Sequence, residues 1–189
     1  MEIIENFAEL SIEEQKAFAE ALVKTINSES TFTDDTNFKV TGIETDDLAG
    51  DLVILIEPED PIEVPREATW TCSNSEDRYD DPGYDADYDN SIYDDAKKAF
   101  KTMTADIEGY RVSLEVDDLD EVETADIEVD DYSDEDAGIG HYEYWGHTGY
   151  DSRPYVEVTG TIIKACTCYL SLYVEPSGAT EPATDEEAE

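Results

Sequence analysis

Hydrophobic and polar positions change period along the chain, and the changes mark out its elements. Residues 11–27 follow a helical period: Phe18, Ala21, Leu22 and Ile26 recur at i, i+3, i+4 spacing and define one buried stripe. Ser11 is placed to cap this helix, Glu14 completes a capping box, and Glu13 favours the positive helix end. Just before it, Ile3, Phe7 and Leu10 predict a separate helical turn.

The period then falls to two. Phe38 and Val40 alternate with Lys39 and Thr41, whereas Leu52-Val53-Ile54-Leu55-Ile56 is apolar on both faces and predicts a central strand. Pro58, Pro61 and Pro65 are expected to break the chain before alternation resumes over Ala68–Cys72. Residues 73–90 read as a loop of Asp and Tyr. A second helix is predicted over 92–103, with Ser91 as cap, Asp94 and Asp95 in its first turn, and Lys97, Lys98 and Lys101 toward its negative end. Ile92, Ala96, Phe100 and Met103 would share its buried face.

Alternation returns at Tyr110, Val112, Leu114 and Val116, and again at Ala125, Ile127 and Val129. His141–Trp145 reads as a short edge strand, within glycines that predict a sharply turning surface loop. Tyr155–Val174 is a long extended run with a bend or turn at Gly160 and with Cys166, Cys168, Leu170, Leu172 and Val174 on one face. Residues 176–189 read as a disordered acidic tail. The class is α+β: two helices on a mostly antiparallel sheet, as one acidic domain over 1–175 with a possible subdivision near 73–105.

Composition changes this picture most through charge. Eleven Lys and Arg against 51 Asp and Glu give −40 over 189 residues. Nucleic-acid binding of the usual kind needs clustered cations, and an anionic membrane attracts basic segments, so both are excluded as partners. No run of 18 apolar residues exists, and the first ten residues lack the pattern of a signal peptide. Disorder would suit the charge, but 39% hydrophobic and 10% aromatic residues are enough for a core. Three cysteines form no complete disulfide framework. Cys166 and Cys168 would lie about 7 Å apart on one strand face, so reduced thiols in a cytoplasm fit best.

The charge is also unevenly placed. Residues 73–95 hold nine acids and one Arg, and residues 117–136 hold twelve acids and no base. A compact chain of this mass exposes roughly 9,000 Å², about one net charge per 225 Å². Duplex DNA carries about one phosphate per 107 Å² of an enclosing cylinder, so one strongly acidic side would match it. Solubility is served by a net charge of roughly −2 to −8; the excess asks for a cationic partner, bound cations or a salty cytoplasm.

Candidate chemistry is sparse. Asp85, Asp87 and Asp89 occupy positions 1, 3 and 5 of an EF-hand-like loop, but position 6 is Asn90 rather than Gly and position 12 is Ala96 rather than Glu. Cys72, Cys166, Cys168, His141 and His147 lack zinc-type spacing. No phosphate-cradling loop, nucleophile elbow or Cys–His pairing is present, so no enzyme and no cofactor are expected. Tyr79, Tyr84, Tyr88 and Tyr93, and later Tyr142, Tyr144, Tyr150 and Tyr155, suit either interface contacts or loop anchoring.

In size and charge the chain resembles the phage-encoded DNA-mimic proteins that block restriction enzymes, CRISPR effectors or other nucleic-acid-binding proteins. The resemblance is one of overall character, without a diagnostic motif. It implies non-catalytic binding in the bacterial cytoplasm, with carboxylates standing in for phosphates in a basic groove. The acids expected to do this are Asp80, Asp81, Asp85, Asp87, Asp89, Asp94 and Asp95 in the first run. In the second they are Asp117, Asp118, Asp120, Glu121, Glu123, Asp126, Glu128, Asp130, Asp131, Asp134, Glu135 and Asp136. Asp126, Glu128 and Asp130 would line one strand face at about 6.7 Å spacing. The partner would be a basic nucleic-acid-binding protein or nucleoprotein complex; the oligomeric state is open, a dimer included. Two alternatives stand beside this: a calcium-stabilised or salt-adapted acidic module, and an acidic adaptor or chaperone of a basic protein.

Overall fold

The Ser11 signal is realised in full. In the computed structural model, Ser11 Oγ accepts the Glu14 N–H while the Glu14 carboxylate accepts the Ser11 N–H, and α1 runs Ile12–Glu29. The structure describes residues 3–45, 51–72, 76–80, 91–133, 140–144, 147–151 and 156–177. Among them are two α-helices and eight strands: β1 (Phe38–Thr45), β2 (Leu52–Pro58), β3 (Ile62–Cys72), α2 (Ser91–Lys98), β4 (Thr104–Ile107), β5 (Tyr110–Tyr132), β6 (Gly140–Tyr144), β7 (His147–Asp151) and β8 (Val156–Pro176). The fold is α+β, with strand order β1-β2-β8-β5-β4, β3 also paired with β8, and β6-β7 as a separate antiparallel hairpin.

The chain divides into two compact units. Unit 1 takes residues 1–61, 100–120 and 167–189; unit 2 takes 62–99 and 121–166. The long strands β5 and β8 contribute to both.

In unit 1, α1 packs on β1. Its buried face is Gln15, Phe18, Ala19, Leu22, Val23 and Ile26; Ala21, expected there, is exposed and Ala19 and Val23 take its place. Phe7, in a 3-10 turn before the helix, meets Phe18 at 4.9 Å between ring centroids, and Tyr110 closes the cluster at 5.1 Å from Phe18. The Tyr110 hydroxyl accepts the Ile4 N–H at 2.7 Å. The β2 row Leu52, Ile54, Ile56 and the β8 row Leu170, Leu172, Val174 complete the core. Asn27 fixes helix to sheet: its side chain donates to the Phe38 carbonyl (2.8 Å) and accepts the Phe38 N–H (2.9 Å), as a neighbouring strand would. The β4–β5 connection is a two-residue turn, Glu108 and Gly109, both with positive φ, the geometry that matches strand twist.

In unit 2, Trp70, Ala68, Ile127, Val156, Val158 and Ile162 form the core, with Cys72 and Val129 against it. α2 packs on β3. Asp95 (13% exposed) lies between Lys98, at 2.6 Å, and Arg66 of β3, at 3.8 Å, so an ionic cluster ties the helix to the sheet.

Several expectations change. The second helix ends at Lys98 rather than at 103, because the Lys101 N–H is taken by the Phe32 carbonyl (2.9 Å) and its ammonium by Ser30 O and Asp34. Phe100 is buried off the helix. Pro65 does not break the chain; it lies inside β3, opposite Ile163. Among the described residues β3 pairs only with β8, and an edge strand has one row of N–H positions where proline is tolerated. The segments 110–116 and 125–129 are parts of one strand, β5, and 141–144 belongs to a hairpin. The expected tail beyond Ser177 lies outside the described residues.

Gly160 does not turn the chain either. β8 runs straight through it, paired with Ala68. What the site requires is close approach: a Cβ there would sit 2.1 Å from the Glu128 carbonyl oxygen of β5, and backbone cannot yield as a side-chain tip can. Gly160→Ala is expected to destabilise unit 2 by about 3 kcal/mol, the scale of severe overpacking. Urea unfolding followed at Trp70 checks it, and an unchanged midpoint would contradict the close approach.

Candidate partner-binding face

β5 is acidic by composition and irregular by consequence. Ten of its 23 residues are Asp or Glu. Along Tyr110–Val116 the even positions are buried, but the inward set later shifts to Leu119, Ile127 and the half-buried Val129. Alternation fails where two successive residues are exposed: Asp117-Asp118, Ala125-Asp126 and Asp130-Asp131. At each the second residue, an aspartate, accepts the next backbone N–H: Asp118 from Leu119 (2.9 Å), Asp126 from Ile127 (2.8 Å) and Asp131 from Tyr132 (2.8 Å). Short side chains that compete with the ladder for backbone donors are poor strand formers, and here they satisfy N–H groups at the irregularities.

In unit 2 this yields an exposed acidic edge. Among the described residues β4 pairs only with Tyr110–Ser113, so no strand covers the outer edge of β5 from Glu123 to Asp131. Glu123, Asp126, Glu128, Asp130 and Asp131 are all exposed. Five carboxylates over nine residues, about 27 Å of strand, give about one per 5 Å, against one phosphate per ~3.4 Å along a single DNA strand. Asp126, Glu128 and Asp130 do share a face, with Ile127 buried between them. Their spacing is shorter than the ~8 Å Debye length at physiological salt, so their potentials add.

Asp80 joins this face across a hollow of 530 Å³ lined by Tyr79, Asp80 and residues 124–127. It follows a 3-10 turn, Asp77–Tyr79, held by a contact the sequence did not reveal. The Arg78 guanidinium lies over the rings of Tyr132 (4.6 Å) and Tyr79 (5.0 Å), and hydrogen bonding to Tyr79 and Tyr132 raises its pKa further. Nothing in the local spacing of Arg78 and Tyr132, 54 residues apart, signals this clamp.

The remaining expected acids fall elsewhere. Asp117, Asp118 and Asp120 are exposed on the unit 1 part of β5, and Asp117 accepts the Ser171 hydroxyl at 2.6 Å. Asp94 and Asp95 are engaged by the chain's own Lys97 and Lys98, and Asp95 also by Arg66, which sets them apart from an open polyanion. The Glu121 side chain, and Asp81, Asp85, Asp87, Asp89, Asp134, Glu135 and Asp136, lie outside the described residues. Among the described residues no three His, Cys, Asp or Glu side chains converge as a metal site, and no helix is long and apolar enough to cross a membrane.

Concentration on β5, more than the average charge of the chain, is what makes the face strongly acidic. Comparison with protein families, curated proteins and solved structures returns no match for this chain.

None of the three cysteines is disulfide-bonded, and Cys166 and Cys168 are buried on the inward face of β8. At Cys72 burial pushes the thiol pKa up, and the Asp77 and Asp80 carboxylates push it the same way. A raised thiol pKa means less thiolate at neutral pH, so iodoacetamide should modify Cys72 more slowly than a free cysteine. The rate should rise in Asp77→Asn/Asp80→Asn; no change would contradict the carboxylate contribution.

The Asp126 carboxylate has two separable effects. Asp126→Asn keeps an oxygen for the Ile127 N–H and removes repulsion of about 0.6 kcal/mol per neighbour at ~6.7 Å in water, so stability should hold or rise. Asp126→Ala removes the acceptor as well and should cost about 1 kcal/mol. Equal urea midpoints for the two variants would show that the hydrogen bond contributes nothing.

Proposed function

We propose that the chain is a non-catalytic DNA-mimic inhibitor. It acts in the bacterial cytoplasm by occupying the basic nucleic-acid-binding groove of a host defence protein or another nucleic-acid-binding protein. The observation that carries this reading is the unit 2 edge, where Glu123, Asp126, Glu128, Asp130 and Asp131 are exposed along one strand beside Asp80. Carboxylates held on a strand keep their spacing without the partner having to order them. Preorganised charge of this kind raises association rates by steering and weakens steeply with salt. A cationic groove replaces phosphates with these carboxylates at little cost, whereas a real nucleic acid is repelled by them.

The test is capture of partners from bacterial lysate on immobilised protein, at about 50 mM and about 500 mM salt, a range that separates screened from unscreened contacts. Nucleic-acid-binding proteins should dominate and should be displaced by competing duplex DNA. The variant Asp80→Asn, Glu123→Gln, Asp126→Asn, Glu128→Gln, Asp130→Asn, Asp131→Asn should lose that capture while its melting temperature stays level or rises. Undiminished capture by this variant would sink the reading.

A further inference from the structure

Unit 1 has a second exposed surface, on the side of its sheet opposite α1. The inward rows of β2 and β8 are buried; the outward rows carry half-buried Val53 and Leu55 on β2 and, on β8, exposed Tyr169 and Tyr173 on either side of buried Ser171. Val53 pairs with Tyr173, which joins apolar side chains across the two strands, and Leu55 pairs with Ser171. Among the described residues no helix covers them. Tyr169 is 40% and Tyr173 41% exposed, large values for rings at the centre of a sheet. They stand four residues apart on one strand face, about 13 Å.

Carboxylates border this patch. Glu44 pairs with Val53 from β1, and Glu115 and Asp117 come from β5 on the other side. Burial raises the Tyr173 pKa first, and Glu115, Asp117 and Glu44 raise it further, so all three acids stand within electrostatic reach of the phenol. The cations nearby lie at the margins: Lys39 is held by Glu57 at 3.2 Å, and Arg111 sits on β5 four residues before Glu115.

We infer that this sheet face is a docking surface for an arginine-bearing segment of a cationic protein, with Tyr169 and Tyr173 as its aromatic anchors. Charge decides the occupant. A second copy would set Glu44, Glu115 and Asp117 against their own equivalents, and a nucleic acid would set phosphates there. Ring faces flanked by carboxylates favour guanidinium over ammonium, because arginine stacks and hydrogen-bonds in one plane while lysine is a strongly hydrated point charge. The chain uses the same chemistry internally, where Arg78 lies over Tyr79 and Tyr132. The inference rests on the proposed function only for the sign of the partner's charge; it uses a different surface and adds a contact that salt screens less.

The probes are dye-labelled nona-arginine and nona-lysine peptides, read by fluorescence anisotropy at about 50 and about 300 mM NaCl. At the higher salt the unaltered chain should prefer the arginine peptide by about tenfold, the scale of two cation–π contacts. Tyr169→Ala/Tyr173→Ala should abolish the preference while leaving low-salt binding of both peptides within about twofold. Tyr169→Leu/Tyr173→Leu keeps apolar area without the rings and should also lose it; both variants are checked by thermal melting. Retention of the preference in the Leu variant would overturn the inference, as would dimerisation of the unaltered chain that the Ala variant dissolves. The neutralised unit 2 variant should lose low-salt binding yet keep the arginine preference. Loss of the preference there would move the arginine site to unit 2 and overturn this one, whereas undiminished low-salt binding would count against the proposed function alone.

Discussion

The inward row of β8 is the constraint on which both cores depend. From Val156 to Val174 every even position is buried, through Val158, Gly160, Ile162, Lys164, Cys166, Cys168, Leu170 and Leu172. A sheet of period two tolerates no slip of one residue, since every side chain would change face. Tyr169, Tyr173 and Glu175 would then turn inward. β2 pairs with Leu170–Val174 of this strand and β3 with Val156–Cys166. Lys164 is the one ionic member of the row, 7% exposed, and its ammonium donates to Thr124 at 2.9 Å. Burial of that charge is tolerable only with partners.

That row also explains where the negative charge had to go. β8 has two acids in 21 residues and β5 has ten in 23. A central strand, with neighbours on both edges and a core on one face, offers carboxylates few wet positions. β5 is bordered by β4 only at its start, so most of its length can keep carboxylates in water. Within the sheet, topology thus decides which strand can carry many carboxylates.

What was legible in the sequence was what local physics decides. The Ser11–Glu14 box, the doubly apolar run of β2, the alternation of Tyr110–Val116 and the Cys166–Val174 face depend on neighbours within a few residues. What was not legible depended on partners far along the chain. The end of α2 is set by Phe32, some 70 residues away, and Pro65 is admissible because of an edge that only topology defines. The acidic runs were visible as composition, but the division of labour within them was not. Asp94 and Asp95 look like Asp130 and Asp131 in sequence, yet the first pair meets Lys97, Lys98 and Arg66, whereas the second lies on an edge that no strand covers among the described residues. The Arg78 clamp and the outward tyrosines of β8 likewise needed strand register before they meant anything.

An open edge strand needs protection whatever the protein does, and charge is one of the ordinary means. The comparison with β3 separates protection from function. β3 also has an outer edge without a strand partner among the described residues, and it carries Pro65 with Glu63 and Glu67. A proline and two charges are an adequate guard. β5 already has three interruptions whose N–H groups are taken by Asp118, Asp126 and Asp131, and these alone spoil it as a template. Glu123, Glu128 and Asp130 add repulsion after the edge has been blunted. Each adds to the repulsion within the folded chain, and among the described residues none of the three satisfies a backbone donor. Carboxylates whose local effect is unfavourable are the ones that the proposed cationic partner would compensate.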